Sequence, residues 1–328
     1  MKTRLCSLLG IDVPVILAAM GGFDTADLAA EVSEAGGLGM MALSGLDAEA
    51  VRSRIAKVRA RTRRPFAVNL NVSRPQAERL AVVLDEGVRI VSFFWGEPGS
   101  LMDQAHAVGA MVLVSVGSAK EARCAVENGA DVIVAQGWEA GGHVRGEVAT
   151  LPLVPAVVDA VAPKPVVAAG GIADGRGLAA SLALGAEAAW IGTRFLASDE
   201  AAIHPTYQRR LLEAGEADTV YTTLFDVGWP DAPHRVLRNK TVNTWEAAGR
   251  PKSGERPGEG VTVARSPAVG DIVNYRSSTP SADTEGDIEA LSMWAGQSVG
   301  LVRRSEPAGQ ILRGIVAQAE AVLKGLNP

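Results

Sequence analysis

Short apolar runs alternate with longer amphipathic segments over the first part of the chain, to about residue 200. Each run is rich in Val, Ile and Ala and is apolar throughout, which is typical of strands buried on both faces of a parallel sheet. The eight runs are residues 13–18, 39–43, 66–71, 89–94, 111–116, 132–135, 165–169 and 188–192. The segments between them predict helices, for example at residues 25–35, 47–61, 74–86, 118–128 and 175–184.

Glycine recurs just past the ends of the predicted helices, at Gly36, Gly87, Gly129 and Gly185. Glycine relieves the left-handed position that ends many helices, and each of these glycines comes shortly before the next apolar run. Eight strand-and-helix units close a barrel, whereas five or six would give an open doubly wound sheet. The pattern therefore predicts an α/β fold, a (β/α)8 TIM barrel.

The composition changes after about residue 225, where residues 228–283 are rich in Pro, Gly, Ser and Arg. A helical stretch is expected at 285–301 and a last amphipathic helix at 308–323. We expect a barrel domain at 1–220 plus 306–328, and a small, partly helical cap domain at 221–305 over the barrel mouth. The alternative is a partly disordered loop, but disordered segments are poor in aromatics, and this one contains Trp229, Trp245 and Trp294.

The bulk composition excludes several classes of protein. The net charge is −5, from 32 basic and 37 acidic residues, and no basic stripe indicates a nucleic-acid partner. No apolar run reaches the ~18 residues that a membrane span needs, and residues 1–14 lack the pattern of a signal peptide. Cys6 and Cys124 have neither disulfide-scaffold nor metal-site spacing. We expect a cytoplasmic enzyme with a small-molecule substrate and no metal; the oligomeric state stays open, a homodimer being one alternative.

The last two predicted strands end in glycine-rich turns, Ala169-Gly170-Gly171 and Trp190-Ile191-Gly192-Thr193. Barrels of this kind carry their chemistry at the C-terminal ends of the strands and often bind phosphate between the last two loops. Free amide N–H groups and a helix N-terminus favour an anion there, and glycine removes the Cβ that would block close approach. The two turns, with the Thr193 hydroxyl, predict a phosphate site.

The loop after the sixth run reads Gln136-Gly137-Trp138-Glu139-Ala140-Gly141-Gly142-His143. His143 is the one histidine at a predicted strand end, and its neutral imidazole is a candidate general base because the ordinary pKa of histidine is near 7. The plainer alternative is a hydrogen bond from the ring to a backbone carbonyl. A direct role is less expected for His106, His204 and His234, which lie on a helix, after the eighth strand and in the cap.

Two further strand ends suggest a flat, polar ligand. The first strand ends in Met20-Gly21-Gly22, where glycine lets the backbone approach a ring and Met20 can pack on its edge, although a tight turn would explain the glycines equally well. Asn69 lies in the third strand, and a buried amide is costly unless it is hydrogen-bonded.

These motifs, together with Ile172-Ala173-Asp174-Gly175 and Trp294-Ala295-Gly296-Gln297-Ser298, resemble those of the nitronate monooxygenase family, formerly called 2-nitropropane dioxygenases. The family consists of FMN-dependent barrel enzymes. The resemblance implies that FMN is the cofactor, that residues 190–193 wrap its phosphate, that Met20 lies by the flavin ring and that His143 is the catalytic base. The cofactor-binding set implied by the motifs is Met20, Gly21, Asn69, Gln136, Gly141, Gly142, Ala169, Gly170, Gly171, Trp190, Ile191, Gly192 and Thr193.

The resemblance implies oxidation of alkyl nitronates or nitroalkanes with O2, giving carbonyl compounds and nitrite. Two departures stand out: Ala19 replaces the usual Pro before the first Met, and Val144-Arg145-Gly146 follow His143 where many members have Arg-Gly or Ile-Gly. Enoyl-acyl-carrier-protein reductases of the FMN type and NAD(P)H:quinone reductases share the glycine loop, so an NAD(P)H-dependent FMN reductase is the alternative function. A non-catalytic flavin- or phosphate-binding protein is the third.

Overall fold

The computed structural model describes residues 1–23 and 25–326. Eight parallel strands form a barrel, and a bridge between Ile16 and Leu38 closes the ring between its first two strands. The barrel strands are β1 (Val15–Leu17), β2 (Gly39–Ala42), β3 (Phe66–Asn71), β4 (Ile90–Phe94), β5 (Met111–Val116), β6 (Val132–Gln136), β8 (Val166–Ala169) and β9 (Ala188–Ile191). The two-residue strand β7 (Gly142–His143) lies outside the barrel. The predicted TIM barrel is confirmed.

Helices surround the barrel in the order that the sequence pattern predicts. They are α2 (Ala26–Glu34), α3 (Ala48–Arg61), α4 (Ala77–Asp85), α5 (Ser100–Ala107), α6 (Ala119–Glu127), α7 (Thr150–Val161) and α8 (Gly175–Ala183). Several begin at a side chain that accepts a hydrogen bond from a free backbone amide, as Thr25, Asp47, Ser118 and Asp174 do. The strands between them are buried at nearly every position, which explains their continuous apolar character.

The eighth outer position is filled from the far end of the chain. The helix after β9, α9 (Thr193–Leu196), has only four residues, and α10 (Pro205–Glu213) follows it. Instead, the C-terminal helix α12 (Ala308–Leu326) packs against both α8 and α2. The N-terminal helix α1 (Arg4–Leu9) lies at the opposite end from the strand-end loops, where the Leu5 amide donates to the carboxylate of Glu187, just before β9.

The segment between α10 and α12 forms two small antiparallel sheets beside the barrel mouth. Its elements are β10 (Thr219–Thr222), β11 (His234–Leu237), α11 (Lys240–Ala247), β12 (Thr262–Ser266), β13 (Gly270–Val273), β14 (Glu285–Gly286) and two 3₁₀ turns, Ile288–Ala290 and Gln297–Leu301. One sheet pairs β10, β11 and β7, and the other pairs β13, β12 and β14. Because β7 belongs to the loop after β6, the first sheet joins the inserted segment to that loop.

The predicted helix at 285–301 is wrong: apart from the two 3₁₀ turns, this stretch is largely extended. Its apolar side chains are shared among separate clusters, Leu291 packing with Ile272, Met293 with Tyr207, and Trp294 against Val236. Only an extended backbone lets successive residues face different clusters in this way. The stretch also pairs with β11, where the Leu237 amide donates to the Met293 carbonyl at 2.7 Å.

Arg256 holds the inserted segment together. Its side chain is 3% exposed and donates to the Asp226 carboxylate at 2.9 Å, to the Leu224 carbonyl at 3.0 Å and to Glu259. Its guanidinium lies 4.3 Å from the centre of the Tyr275 ring. Planar stacking and several charge-assisted hydrogen bonds suit arginine better than lysine. The network fixes residues 224–226, three positions before Trp229, which reaches the barrel mouth.

Candidate active site

A cavity of about 480 Å³ lies at the C-terminal ends of the barrel strands, where this fold carries its chemistry. The barrel contributes strand ends and glycine turns to its walls, and the inserted segment contributes Trp229, Ser277 and Trp294. Among the described residues that line it, none is Lys, Arg, Asp or Glu. The described residues as a whole contain no cluster of three metal-ligating side chains. None of the helices among them is fit to cross a bilayer.

The structure brings nearly all the predicted site residues to this one cavity. Those that line it are His143 and Met20, Gly21, Asn69, Gln136, Gly141, Gly142, Ala169, Gly170, Gly171, Trp190, Gly192 and Thr193. The exception is Ile191, which pairs with Leu17 across β1 and β9 and has a fully buried side chain in the barrel core.

The turn after β8 requires glycine on steric grounds. Gly170 and Gly171 have φ angles of +93° and +71°, in the left-handed region that other residues rarely adopt. A Cβ on Gly170 would also lie 2.9 Å from the Gly137 carbonyl oxygen. In the turn after β1, two strands away from β8 in the barrel, a Cβ on Gly21 would meet nothing within 4 Å, because the backbone there faces open space. The cavity is thus walled by bare backbone on two sides.

The turn after β9 is hydrogen-bonded to a residue that lies far from it in the sequence. The Gly296 amide, about a hundred residues downstream, donates to Thr193 Oγ1 at 3.0 Å, and Ser298 also lines the cavity. The 294–298 motif was recognised in the sequence, but its place beside the predicted phosphate turn was not. No local signal could have revealed it, since the contact depends on how the inserted segment returns to the barrel.

Two amide side chains that line the cavity, one on β3 and one on β6, are held in fixed orientations. Asn69 donates from Nδ2 to Ser92 Oγ at 3.0 Å, and its own oxygen has no partner among the described residues. Gln136 donates from Nε2 to the His143 carbonyl at 3.1 Å, so it ties the end of β6 to the backbone of the candidate base. Both amides keep an acceptor oxygen available for a ligand.

His143 is 5% exposed and is surrounded by indole rings. Trp229 stacks on it with ring centres 3.9 Å apart, Trp294 meets it edge-on at 4.7 Å and Trp95 at 5.6 Å. Burial, and to a lesser extent the neighbouring His234, lowers the pKa of His143 from 6.5 to about 3. The imidazole is therefore neutral at any pH near 7. Trp229 was not predicted as a site residue, because its position over His143 depends on tertiary packing.

His234 lies opposite His143 in the pairing of β7 with β11. Its Nδ1–H donates to the Ala232 carbonyl at 2.8 Å, and its Nε2 accepts from the Phe225 amide at 3.3 Å. Burial lowers the pKa of His234 as well, so the ring is neutral with both nitrogens occupied. It supports the backbone and has no nitrogen left for a substrate.

Three buried polar atoms of residues that line the cavity have no hydrogen-bond partner among the described residues: His143 Nε2, Trp294 Nε1 and Ser277 Oγ. Buried polar groups are nearly always paired, and an unpaired one costs about 1–3 kcal/mol. Three in one cavity indicate that a bound molecule completes the site. The bare glycine walls and the free amide oxygens fit a flat group with polar edges and a phosphate, as a flavin mononucleotide has.

Comparison with known proteins agrees with this geometry. The family model described as nitronate monooxygenase matches residues 2–79 and 70–318. Nitronate monooxygenase of Paraburkholderia phytofirmans is 34% identical over 98% of this chain and 95% of that protein. The (3aS,4S,5R,7aS)-5-hydroxy-7a-methyl-1-oxo-octahydro-1H-indene-4-carboxyl-CoA dehydrogenase of Mycobacterium tuberculosis is 41% identical over 76% of this chain and 70% of that protein.

Among solved structures, FabK from Thermotoga maritima superposes with a TM-score of 0.82 and 33% identity, covering 100% of this chain and 99% of FabK. The shared fold therefore includes the inserted segment and the barrel alike. With a family match that spans almost the whole length and a barrel mouth that assembles the family's motifs, the chain belongs to the nitronate monooxygenase family of oxidoreductases.

Proposed function

We propose that the protein is an FMN-dependent nitronate monooxygenase that oxidises alkyl nitronates or nitroalkanes with O2 to carbonyl compounds and nitrite. The observation that carries the proposal is His143: a buried, neutral imidazole with an unpartnered Nε2, in a cavity walled by glycine turns. The family match supports the reaction class. We place His143 as the catalytic base.

FMN is the proposed cofactor, and when bound it would accept the substrate's electrons and pass them to O2. The turns after β8 and β9 would hold its phosphate through backbone amides and the Thr193 hydroxyl. Asn69 and Gln136 would meet the polar edge of the ring with their free amide oxygens. Gly21 and Met20 would bound the ring on the β1 side, where the cavity is open.

His143 is in the protonation state that a proton acceptor needs, since its pKa is about 3 and the ring is neutral. The same burial makes it a weak base on its own. Negative charge that develops on the substrate oxygens beside the ring would stabilise the protonated imidazole and raise its pKa. The buried Nε2 also means that a substrate must part the side chains around the ring to reach it.

The test is a purified yellow protein that releases FMN on denaturation and consumes O2 with 2-nitropropane or its nitronate, without NAD(P)H. His143→Ala should retain FMN and lower turnover by about 10²–10⁴-fold, the usual contribution of a general base. The matched control is His106→Ala, because His106 lies at the surface beside Asp131 and does not line the cavity. Failure to turn over any nitronate or nitroalkane would contradict the proposal.

The second candidate is an NAD(P)H-dependent FMN reductase that acts on quinones or on an enoyl thioester. It is favoured by the similarity to FabK over the whole chain and to the dehydrogenase of M. tuberculosis. Anaerobic mixing of the holoenzyme with NADH or NADPH separates the two. Bleaching of the oxidised-flavin band near about 450 nm would support the reductase, and an unchanged band would remove it.

We further propose that residues 221–305 act as a cap that selects the substrate, over a barrel formed by 1–220 and 306–328. The first strand of the inserted segment, β10, begins at Thr219, two residues before the proposed boundary. The cap supplies Trp229, Ser277 and Trp294 to the cavity. A homodimer in the cytoplasm remains a proposal, which size-exclusion chromatography and cell fractionation would test.

A further inference from the structure

Arg235 is a buried cation that the proposed mechanism does not use. It belongs to β11 and is 2% exposed. Its hydrogen bonds among the described residues go to neutral oxygens: Nη2 donates to the Trp138 carbonyl at 2.9 Å, and Nη1 to Thr219 Oγ1 at 3.5 Å. Its Nε has no partner among those residues. A buried charge loses hydration that neutral partners restore poorly, so stability alone does not explain this arginine.

The two residues of β11 that pair with β7 serve opposite faces of their sheet. His234 pairs with His143, and the two imidazole rings meet with their centres 5.5 Å apart. Arg235 pairs with Gly142, and its side chain points to the other face because successive side chains alternate along a strand. On that face its guanidinium lies 4.3 Å from the centre of the Trp138 ring. Both faces of β11 therefore contact the loop that follows β6.

This loop, residues 137–143 and here called the glycine loop, is held at both ends by β11 and the residues just before it. Near its start, Arg235 binds the carbonyl of Trp138 and stacks on the ring of the same residue. Just past its end, the Val144 amide donates to the Pro233 carbonyl at 2.9 Å. The first attachment depends on one side chain, whereas the second is made by backbone alone.

The glycine loop has little room to shift between these ends. A Cβ on Gly137 would lie 1.9 Å from Thr150 Oγ1, and a Cβ on Gly141 would lie 2.4 Å from the Gly296 amide nitrogen. The loop is thus packed between the start of α7 and the turn at the end of the inserted segment. A displacement at the start of so tightly packed a loop is transmitted to His143 at its end.

We propose that Arg235 is a positioning residue: by binding the Trp138 carbonyl and ring, it fixes the glycine loop and places His143 in the cavity. A guanidinium suits this role better than an ammonium group, because it stacks on an aromatic ring and donates hydrogen bonds in its own plane. The proposal rests on the proposed function for its effect on turnover. The place of the His143 ring depends on the fold alone.

Two variants of similar length separate the planar group from the charge. Arg235→Met removes both, whereas Arg235→Lys keeps a charge and loses the planar fork. We expect kcat to fall about 10–100-fold in each variant while KM changes less than about threefold, because Arg235 does not line the cavity and small misplacements are costly. The Kd of FMN, measured by flavin fluorescence, should rise about tenfold as backbone contacts of the glycine loop are displaced.

The matched control is Arg210→Met. Arg210 also donates to a backbone carbonyl, that of Arg238 at 2.7 Å, just after β11, and it does not line the cavity. This variant should lower stability and leave kcat and the Kd of FMN as in the wild type.

The ring signal of His143 in NMR, followed between pH 5 and pH 7, distinguishes positioning from stability. Loss of stability alone leaves the ring of the folded protein buried, with its pKa near 3. A displaced ring becomes hydrated, so its pKa rises toward the ordinary value of 6.5. We expect the signal to titrate in Arg235→Met and in Arg235→Lys, and to stay unchanged in Arg210→Met.

Wild-type kcat and FMN affinity in Arg235→Lys would overturn the proposal, because the charge alone would then suffice. A His143 signal that stays unchanged in both Arg235 variants would overturn it as well. If Arg235→Met does not fold, Arg235→Lys decides the matter by the same measurements. If the wild-type protein turns over no nitro compound, the proposed function is wrong, and FMN affinity and the His143 signal still decide the role of Arg235.

Discussion

Acid should destabilise this protein through His143. Its pKa is about 3 in the folded chain and 6.5 when the ring is exposed, so the unfolded chain takes up a proton that the folded chain refuses. The stabilisation is present above pH 6.5 and is lost as the pH falls toward 3. A pH of 5 lies 1.5 units below the pKa of the exposed ring in the unfolded chain. At about 1.36 kcal/mol per pH unit, protonation of this ring in the unfolded chain lowers the free energy of unfolding by about 2 kcal/mol.

Urea denaturation at pH 7 and pH 5 measures this loss. His143→Gln removes the titrating ring and keeps a polar side chain of similar reach, so the difference in pH dependence between the two proteins isolates His143 from His234, whose pKa is also lowered by burial. The chain has four histidines, so ring C–H signals in NMR can be assigned by the same variant.

We expect the wild-type protein to lose about 2 kcal/mol more than His143→Gln between pH 7 and pH 5. We also expect the His143 ring signal to stay unchanged over that range. Equal losses in the two proteins, or a His143 signal that titrates near pH 6.5, would show that the ring is hydrated, and the argument from burial would be wrong.

Three substitutions test the packing that builds the site. In Gly141→Ala the new Cβ would lie 2.5 Å from the carbonyl carbon of Ala295, so the 294–298 turn must shift and we expect FMN affinity to fall at least tenfold, measured by flavin fluorescence. Arg256→Leu leaves two carboxylates without their buried partner, and calorimetry should show a loss of about 3 kcal/mol. Tyr207→Phe strands the Trp294 carbonyl and should cost about 1–3 kcal/mol in urea denaturation.

The glycine and arginine substitutions each have a control of the same chemical type. Gly314→Ala lies on the exposed face of α12, where a Cβ meets nothing within 4 Å, and should stabilise the helix by about 0.5–1 kcal/mol. Arg265→Leu breaks an ion pair with Asp271 that is largely exposed, and should cost less than about 1 kcal/mol. If Arg256→Leu were no worse than Arg265→Leu, the buried network would not hold the inserted segment together.

Most of the barrel could be predicted from local pattern because its eight strands, and the helices after the first seven of them, are local; the eighth outer helix, α12, comes from the far end of the chain. A strand buried on both faces must be apolar throughout, and each helix needs one apolar stripe, a cap and a glycine after it, so these elements are visible in short windows of sequence. Gly170 and Gly171 were visible for the same reason: a left-handed turn against a neighbouring carbonyl admits only glycine.

What surrounds the candidate base was decided by tertiary structure. The sequence by itself singled out His143, but Trp229 and Trp294 reach it from parts of the chain that follow it by more than eighty residues. Residues 285–301 have an apolar pattern that suits a helix, yet they are extended because their side chains face separate clusters. The imidazole is buried and neutral, and the described lining has no cation, because segments that are distant in the sequence meet at the barrel mouth. No short window of the sequence contains that information.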